Sequence, residues 1–134
     1  MKENIVLRWI KKAKNDLKVV EYLLEFENAP RDILCFHCQQ AVEKYLKAYF
    51  TWVDIRVKKT HDLESILNLC IAKEKDFKKL DKDKISKLTL YAVDVRYPEE
   101  YLEPTVEEVR EFYETANKVK DFVLKKLKEA GLDV

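Results

Sequence analysis

Three groups of residues in this 134-residue chain have types and spacing that could do chemistry. The first is Cys35-Phe36-His37-Cys38, where two thiols three positions apart flank an imidazole. That pattern invites thiol exchange or zinc binding. The second is a line of hydrogen-bond donors, His37, Gln40, Lys44 and Lys47, at steps of three and four. Such steps put all four on one helix face, which either is solvated or lines a cleft able to hold a phosphate or an acidic partner. The third is the stretch Tyr91-Ala92-Val93-Asp94-Val95-Arg96-Tyr97-Pro98-Glu99-Glu100-Tyr101. Tyr91 and Asp94 share a helix face, and Arg96 and Tyr97 stand at a helix end pinned by Pro98. Arg96 is one of five Arg in a chain that carries 21 Lys. An Arg chosen there suits planar, bidentate contact with a carboxylate or phosphate, or an ion pair that closes the helix end.

The surroundings of these groups narrow the chemistry. A redox Cys-x-x-Cys needs a strand before it and a helix start beneath it, whereas Cys35 and Cys38 fall inside a helical pattern. A structural zinc site needs two more ligands. Only Cys70 and His61 remain, and His37 points away from both thiols. The cysteines are therefore expected as small apolar residues on a packed seam. A di-metal carboxylate bundle requires Glu-x-x-His on two helices, and neither His37 nor His61 has a Glu three positions earlier. No metal and no cofactor is expected. A single glycine, Gly131, excludes glycine-rich phosphate loops of the Walker and dinucleotide types. Any phosphate would have to be held by side chains on helices, with Arg96 and Lys44 foremost.

The elements that must position these groups are helical throughout. One Gly and three Pro are too few for the turns of an all-β chain of this length. The first helix is expected over about 4–26, with Ile5, Trp9, Ala13, Leu17, Val20 and Leu24 on its apolar face. Asn28-Ala29-Pro30 breaks it. The second runs over about 31–53, its seam formed by Leu34, Cys38, Ala41, Tyr45, Ala48 and Trp52. Polar residues there are confined to a stripe with Gln40, Glu43, Lys44 and Lys47, so this helix belongs at the centre of a bundle. A short helix over about 62–72 is capped by Thr60 or Asp62. A charged connector spans 73–82, and a fourth helix over about 83–95 carries Ile85, Leu88, Ala92 and Val95 on one face, ending before Pro98. The last helix begins at a capping box, Thr105-Val106-Glu107-Glu108, and Gly131 sits where its C-terminal cap belongs. The expected architecture is an all-α, antiparallel up-and-down four-helix bundle with one additional short helix, a single domain over 1–134.

Charge and hydropathy set the broad class. A net charge of +1 with 47% hydrophobic and 38% charged residues fits a packed core under a charged surface and argues against a nucleic-acid coat. No apolar run approaches the roughly 20 residues of a membrane span, and the first residues lack a secretory pattern. Three cysteines, an odd number, suit a reduced cytoplasmic setting.

The motifs resemble those of the HEPN family, named for nucleotide binding in higher eukaryotes and prokaryotes. Phe36-His37-Cys38-Gln39-Gln40-Ala41-Val42-Glu43-Lys44-Tyr45-Leu46-Lys47-Ala48 is similar to its second-helix signature. Thr60-His61-Asp62-Leu63 resembles its next landmark, and Asp94-Val95-Arg96-Tyr97-Pro98 the Arg-Tyr-Pro turn of its small prokaryotic members. The resemblance implies a helical bundle that forms a homodimer and pairs with a separately encoded minimal nucleotidyltransferase, as in toxin–antitoxin pairs. It implies binding of nucleotide or partner through His37, Gln40, Lys44, Asp94, Arg96 and Tyr97. Many members are metal-independent ribonucleases that cut RNA with an Arg followed, four to six residues on, by His. Arg96 fits the Arg position, but Tyr101 falls where the His would stand, and no His follows His61. Tyrosine titrates near 10 and histidine near 6.5, so Tyr101 is a poor proton carrier at neutral pH. The resemblance thus leaves Arg96 and Tyr101 as the catalytic candidates of a degenerate ribonuclease motif, with a non-catalytic HEPN partner protein as the leading expectation. A helical interaction module without a small ligand is the third. Tyr97 and Tyr101 stand where nucleotidyltransferase partners of such proteins modify tyrosine.

Overall fold

Val6, Ile10, Ala13, Leu17 and Val20 recur at steps of four and three, and all are buried on the inner face of α1 (Lys2–Leu23). The expected face held from Ala13 onward, but its first turns are rotated by one residue. Ile5 is exposed and Trp9 half-buried, while Val6 and Ile10 point inward. Two adjacent apolar pairs, Ile5-Val6 and Trp9-Ile10, allow either phase, and the position of the neighbouring helix selects one. The computed structural model describes residues 1–56, 59–92 and 103–134, and among these every regular element is helical. The all-α bundle expected from the pattern is the observed fold.

Pro30 stands at the N-cap of α2 (Arg31–Trp52), where its fixed φ suits a helix entrance. This helix is the axis of the molecule: thirteen of its residues are buried, and it packs against α1, α3, α4 and α5. Contacts across its length give the directions. Lys2, at the start of α1, pairs with Asp54 just past the end of α2, at 3.2 Å. Asp16, farther along α1, meets His37 near the start of α2. The two helices are therefore antiparallel. Arg31 pairs with Glu103 at 2.7 Å ahead of α5 (Val106–Glu129), while Phe77 joins Tyr49 of α2 to Phe122 of α5. Thus α5 runs in the same direction as α2.

Between them the chain returns through α3 (Leu63–Lys73) and α4 (Lys82–Leu88). Asp62 caps α3 by accepting from the Glu64 amide, and Asp81 caps α4 in the same way from Lys84. Two short 3-10 turns modify the expected layout. One, Lys75–Lys79, lies within the stretch expected as a connector and buries Phe77. The other, Thr89–Tyr91, follows α4 where the expected fourth helix was to continue, with Ala92 beyond it extended; 93–95 lie outside the described residues. Tyr91 packs against Phe112 of α5 at 5.8 Å.

The caps of the two longest inner helices use one geometry with different residues. The Thr105–Glu108 capping box at the start of α5 is formed in both directions. At its end Gly131 has φ +97°, and the Leu132 amide donates to the Leu127 carbonyl at 3.0 Å. That is the left-handed cap expected of glycine. At the end of α2 the same turn is made by Asp54, with φ +59°, and the Ile55 amide donates to the Phe50 carbonyl at 2.9 Å. Aspartate tolerates the left-handed region better than most side chains, so a chain with one glycine still closes two helices this way.

Candidate functional site

Two buried carboxylates organise the polar face of α2. Asp16 projects from α1, between Ala13, Leu17 and Val20, and is 8% exposed. The Nδ1 of His37 donates to its Oδ1 at 2.8 Å, and the Lys44 ammonium donates to its Oδ2 at 2.6 Å. One carboxylate thus ties α1 to two turns of α2 through charge-assisted bonds, the strong class of hydrogen bond. Gln40 lies half-buried on the same helix face, between these two donors.

Glu43, 5% exposed, sits one position before Lys44 and faces another neighbour. Its Oε1 accepts from Gln39 Nε2 at 3.0 Å and from His61 Nδ1 at 2.7 Å, and its Oε2 accepts from Lys47 at 2.9 Å. Gln39 and Lys47 stand one turn on either side of Glu43, so the helix period alone brings them to it. His61 arrives from the loop ahead of α3, which places that loop against the middle of α2. The Lys47 ammonium lies 5.7 Å from the centre of the Trp9 ring, which adds a cation–π contact from α1.

Three of the four donors singled out by spacing are thus turned onto acids within the chain, His37 and Lys44 onto Asp16 and Lys47 onto Glu43. An anion arriving at that face would meet Asp16 as a competitor. The four other site candidates, Asp94, Arg96, Tyr97 and Tyr101, lie outside the described residues, as do Val95 and Pro98. Reading the residues by spacing missed Asp16 and gave no role to Glu43 or His61. Their signals are present: an acid inside the apolar stripe of α1, and an acid four residues from both a Gln and a Lys on the central helix.

Both histidines have Nδ1 held by a carboxylate, an arrangement that fixes the tautomer and leaves Nε2 as the chemically distinct nitrogen. His61 is the more exposed, with 38% of its side chain accessible against 24% for His37. The cysteines are core residues. Cys35, Cys38 and Cys70 are each 0% exposed and unpaired. Burial, reinforced by the charges of Glu108 and Asp32, pushes the Cys35 thiol up from 9.0 to about 12, and burial likewise raises Cys38 and Cys70. Raised thiols are poor nucleophiles and poor metal ligands at neutral pH. Among the described residues no group of three or more His, Cys, Asp or Glu is placed to hold a metal ion.

A testable consequence follows from the sign of these shifts. The folded chain keeps protons that the unfolded chain releases above pH 9, so stability is complete below pH 9 and falls as the pH rises toward 12. Urea unfolding at pH 8 and pH 10 is expected to give a lower midpoint at pH 10. A thiol reagent at pH 8 is expected to label the native chain far more slowly than the urea-unfolded chain, in which all three thiols react.

A helical bundle centred on one apolar helix, with buried acids gathering the polar residues of that helix, is the class defined by fold and site. The family model for the HEPN domain matches residues 6–127, and the chain belongs to the HEPN domain family. Comparison with curated proteins and with solved structures gave no match. No helix among the described residues is long and apolar enough to cross a membrane.

Proposed function

We propose that this HEPN chain acts as the homodimeric partner of a minimal nucleotidyltransferase, in a toxin–antitoxin-like pair, and not as a ribonuclease. In this reading Arg96, with Asp94 and Tyr97 beside it, meets nucleotide or partner. The observation that supports it is the placement of the histidines. The chain has two, and both precede Arg96. No imidazole occupies the position after Arg96 that the ribonuclease motif of the family requires.

Three measurements test this. Co-expression with the product of the adjacent reading frame is expected to give a stable complex; a neighbour that is no nucleotidyltransferase, and does not bind, removes the partner claim. Light scattering at micromolar concentration is expected to give twice the chain mass, and a monomer would contradict the dimer. Nucleotide at 100 times its dissociation constant stabilises a protein by about 2.7 kcal/mol, so AMP or ATP is expected to raise the Tm of the wild type but not of Arg96→Ala.

A second reading, an endoribonuclease, is favoured by one contact. The His61 imidazole is oriented by Glu43 at 2.7 Å, as general bases are oriented by a second group, and Arg96 would then offset phosphate charge in the transition state. RNA cleavage lost in both Arg96→Ala and His61→Ala would favour it. Absence of cleavage by the wild type, or equal cleavage by all three proteins, would remove it.

A further inference from the structure

A cleft of about 370 Å³ opens between α1 and α5. That volume falls in the range of small-molecule sites. Tyr45 of α2 lines it, 0% exposed, with a buried hydroxyl that has no hydrogen-bond partner among the described residues. A buried polar atom left in that state costs stability, so its presence beside an open cleft requires an explanation. Leu17 and Leu124 supply apolar walls and Tyr113 a further ring. Lys14, Lys18 and Lys120 outnumber Glu21 and Asp121 around the cleft, so the lining carries a net positive charge.

We propose that this cleft is a binding site for a small aromatic carboxylate bearing a hydroxyl or carbonyl at its far end. The flat body lies between Leu17 and Leu124. The far end takes the Tyr45 hydroxyl, and the carboxylate stays among the lysines. The polarity is set by the surroundings of Tyr45. Burial, more than the carboxylates of Asp121 and Asp16, keeps its hydroxyl protonated, and the same burial disfavours an anion at that depth. A neutral hydrogen-bonding group is therefore favoured inside. Unlike the Arg96 region, the site uses no residue of the polar line on α2, so it stands or falls independently of the partner reading above.

The probe is 4-hydroxybenzoate, with 4-hydroxybenzamide as its uncharged counterpart, titrated into the full chain by calorimetry. Saturable one-site binding is expected for the acid, at least tenfold tighter than for the amide. Lys14→Gln/Lys18→Gln is expected to erase that preference, and Leu124→Trp, which fills the cleft, to abolish binding. Tyr45→Phe is expected to weaken binding at least tenfold while raising the Tm of the ligand-free protein, because it removes an unpartnered polar group. No saturable binding, or unchanged affinity in Tyr45→Phe, overturns the proposal. So does a lower ligand-free Tm in Tyr45→Phe, since the hydroxyl would then already have a partner such as a buried water.

Discussion

Glu43→Ala is expected to destabilise the chain by about 3–5 kcal/mol, the range for removing one member of a buried ion pair. The cost arises from what the missing carboxylate leaves behind. Lys47 has 9% of its side chain exposed, so its ammonium would remain desolvated and unpaired. Gln39 is 0% exposed and already has an unpartnered Oε1; it would lose the acceptor of its Nε2 as well. His61 would lose the contact that ties the loop ahead of α3 to α2. The measurement is urea unfolding of wild type, Glu43→Ala and the double variant Glu43→Met/Lys47→Met. Apolar residues that replace both charges leave none buried alone, so the double variant should be markedly more stable than the single one. A single variant within 1 kcal/mol of wild type would mean that Lys47 reaches solvent past Trp9 and that the pair is no lock.

Glu43 also illustrates where the sequence is informative and where it is not. Its place on the polar stripe of α2 is a matter of helix period, and so is its reach to Gln39 and Lys47. That His61 joins it is a matter of tertiary placement, because an eighteen-residue separation in sequence carries no geometric information. The same division runs through the fold. Local rules placed the Thr105 capping box and the Gly131 cap and narrowed the cap of α3 to Thr60 or Asp62, since each depends on a few adjacent residues. The inner face of α1 was legible from Ala13 onward but ambiguous where apolar residues come in adjacent pairs. Asp16 was hidden by the habit of reading acids as surface residues. It is buried because Lys44 and His37 approach from another helix, and no rule internal to α1 foretells that. Asp54 closes α2 in a left-handed turn that a search for glycine passes over.

Phe77→Ala is the other substitution with a large expected effect, about 3–5 kcal/mol by the usual cost of truncating a buried aromatic. Phe77 lies in Lys75-Asp76-Phe77-Lys78-Lys79, four charged residues around one ring, which by composition reads as a solvated connector. The backbone there forms a 3-10 turn and buries the ring completely. A turn of three residues per cycle lets one apolar side chain point inward while its neighbours stay outside. The ring stands 4.6 Å from Tyr49 and 4.8 Å from Phe122, tilted by 59° and 64°, geometries favoured by aromatic quadrupoles. It therefore fills the gap between α2 and α5 near their C-terminal ends. The neighbouring pair Asp76–Lys126, at 2.6 Å, holds the turn against α5 from outside, and that hydrogen bond draws the Asp76 carboxyl below its ordinary range. If the ring is the linkage, Phe77→Ala lowers the urea midpoint strongly, whereas Asp76→Asn and the exposed aromatic change Phe26→Ala shift it little. If all three variants unfold at nearly the wild-type midpoint, α2 and α5 are held together by their direct contacts alone, and the turn is the connector that its composition suggests.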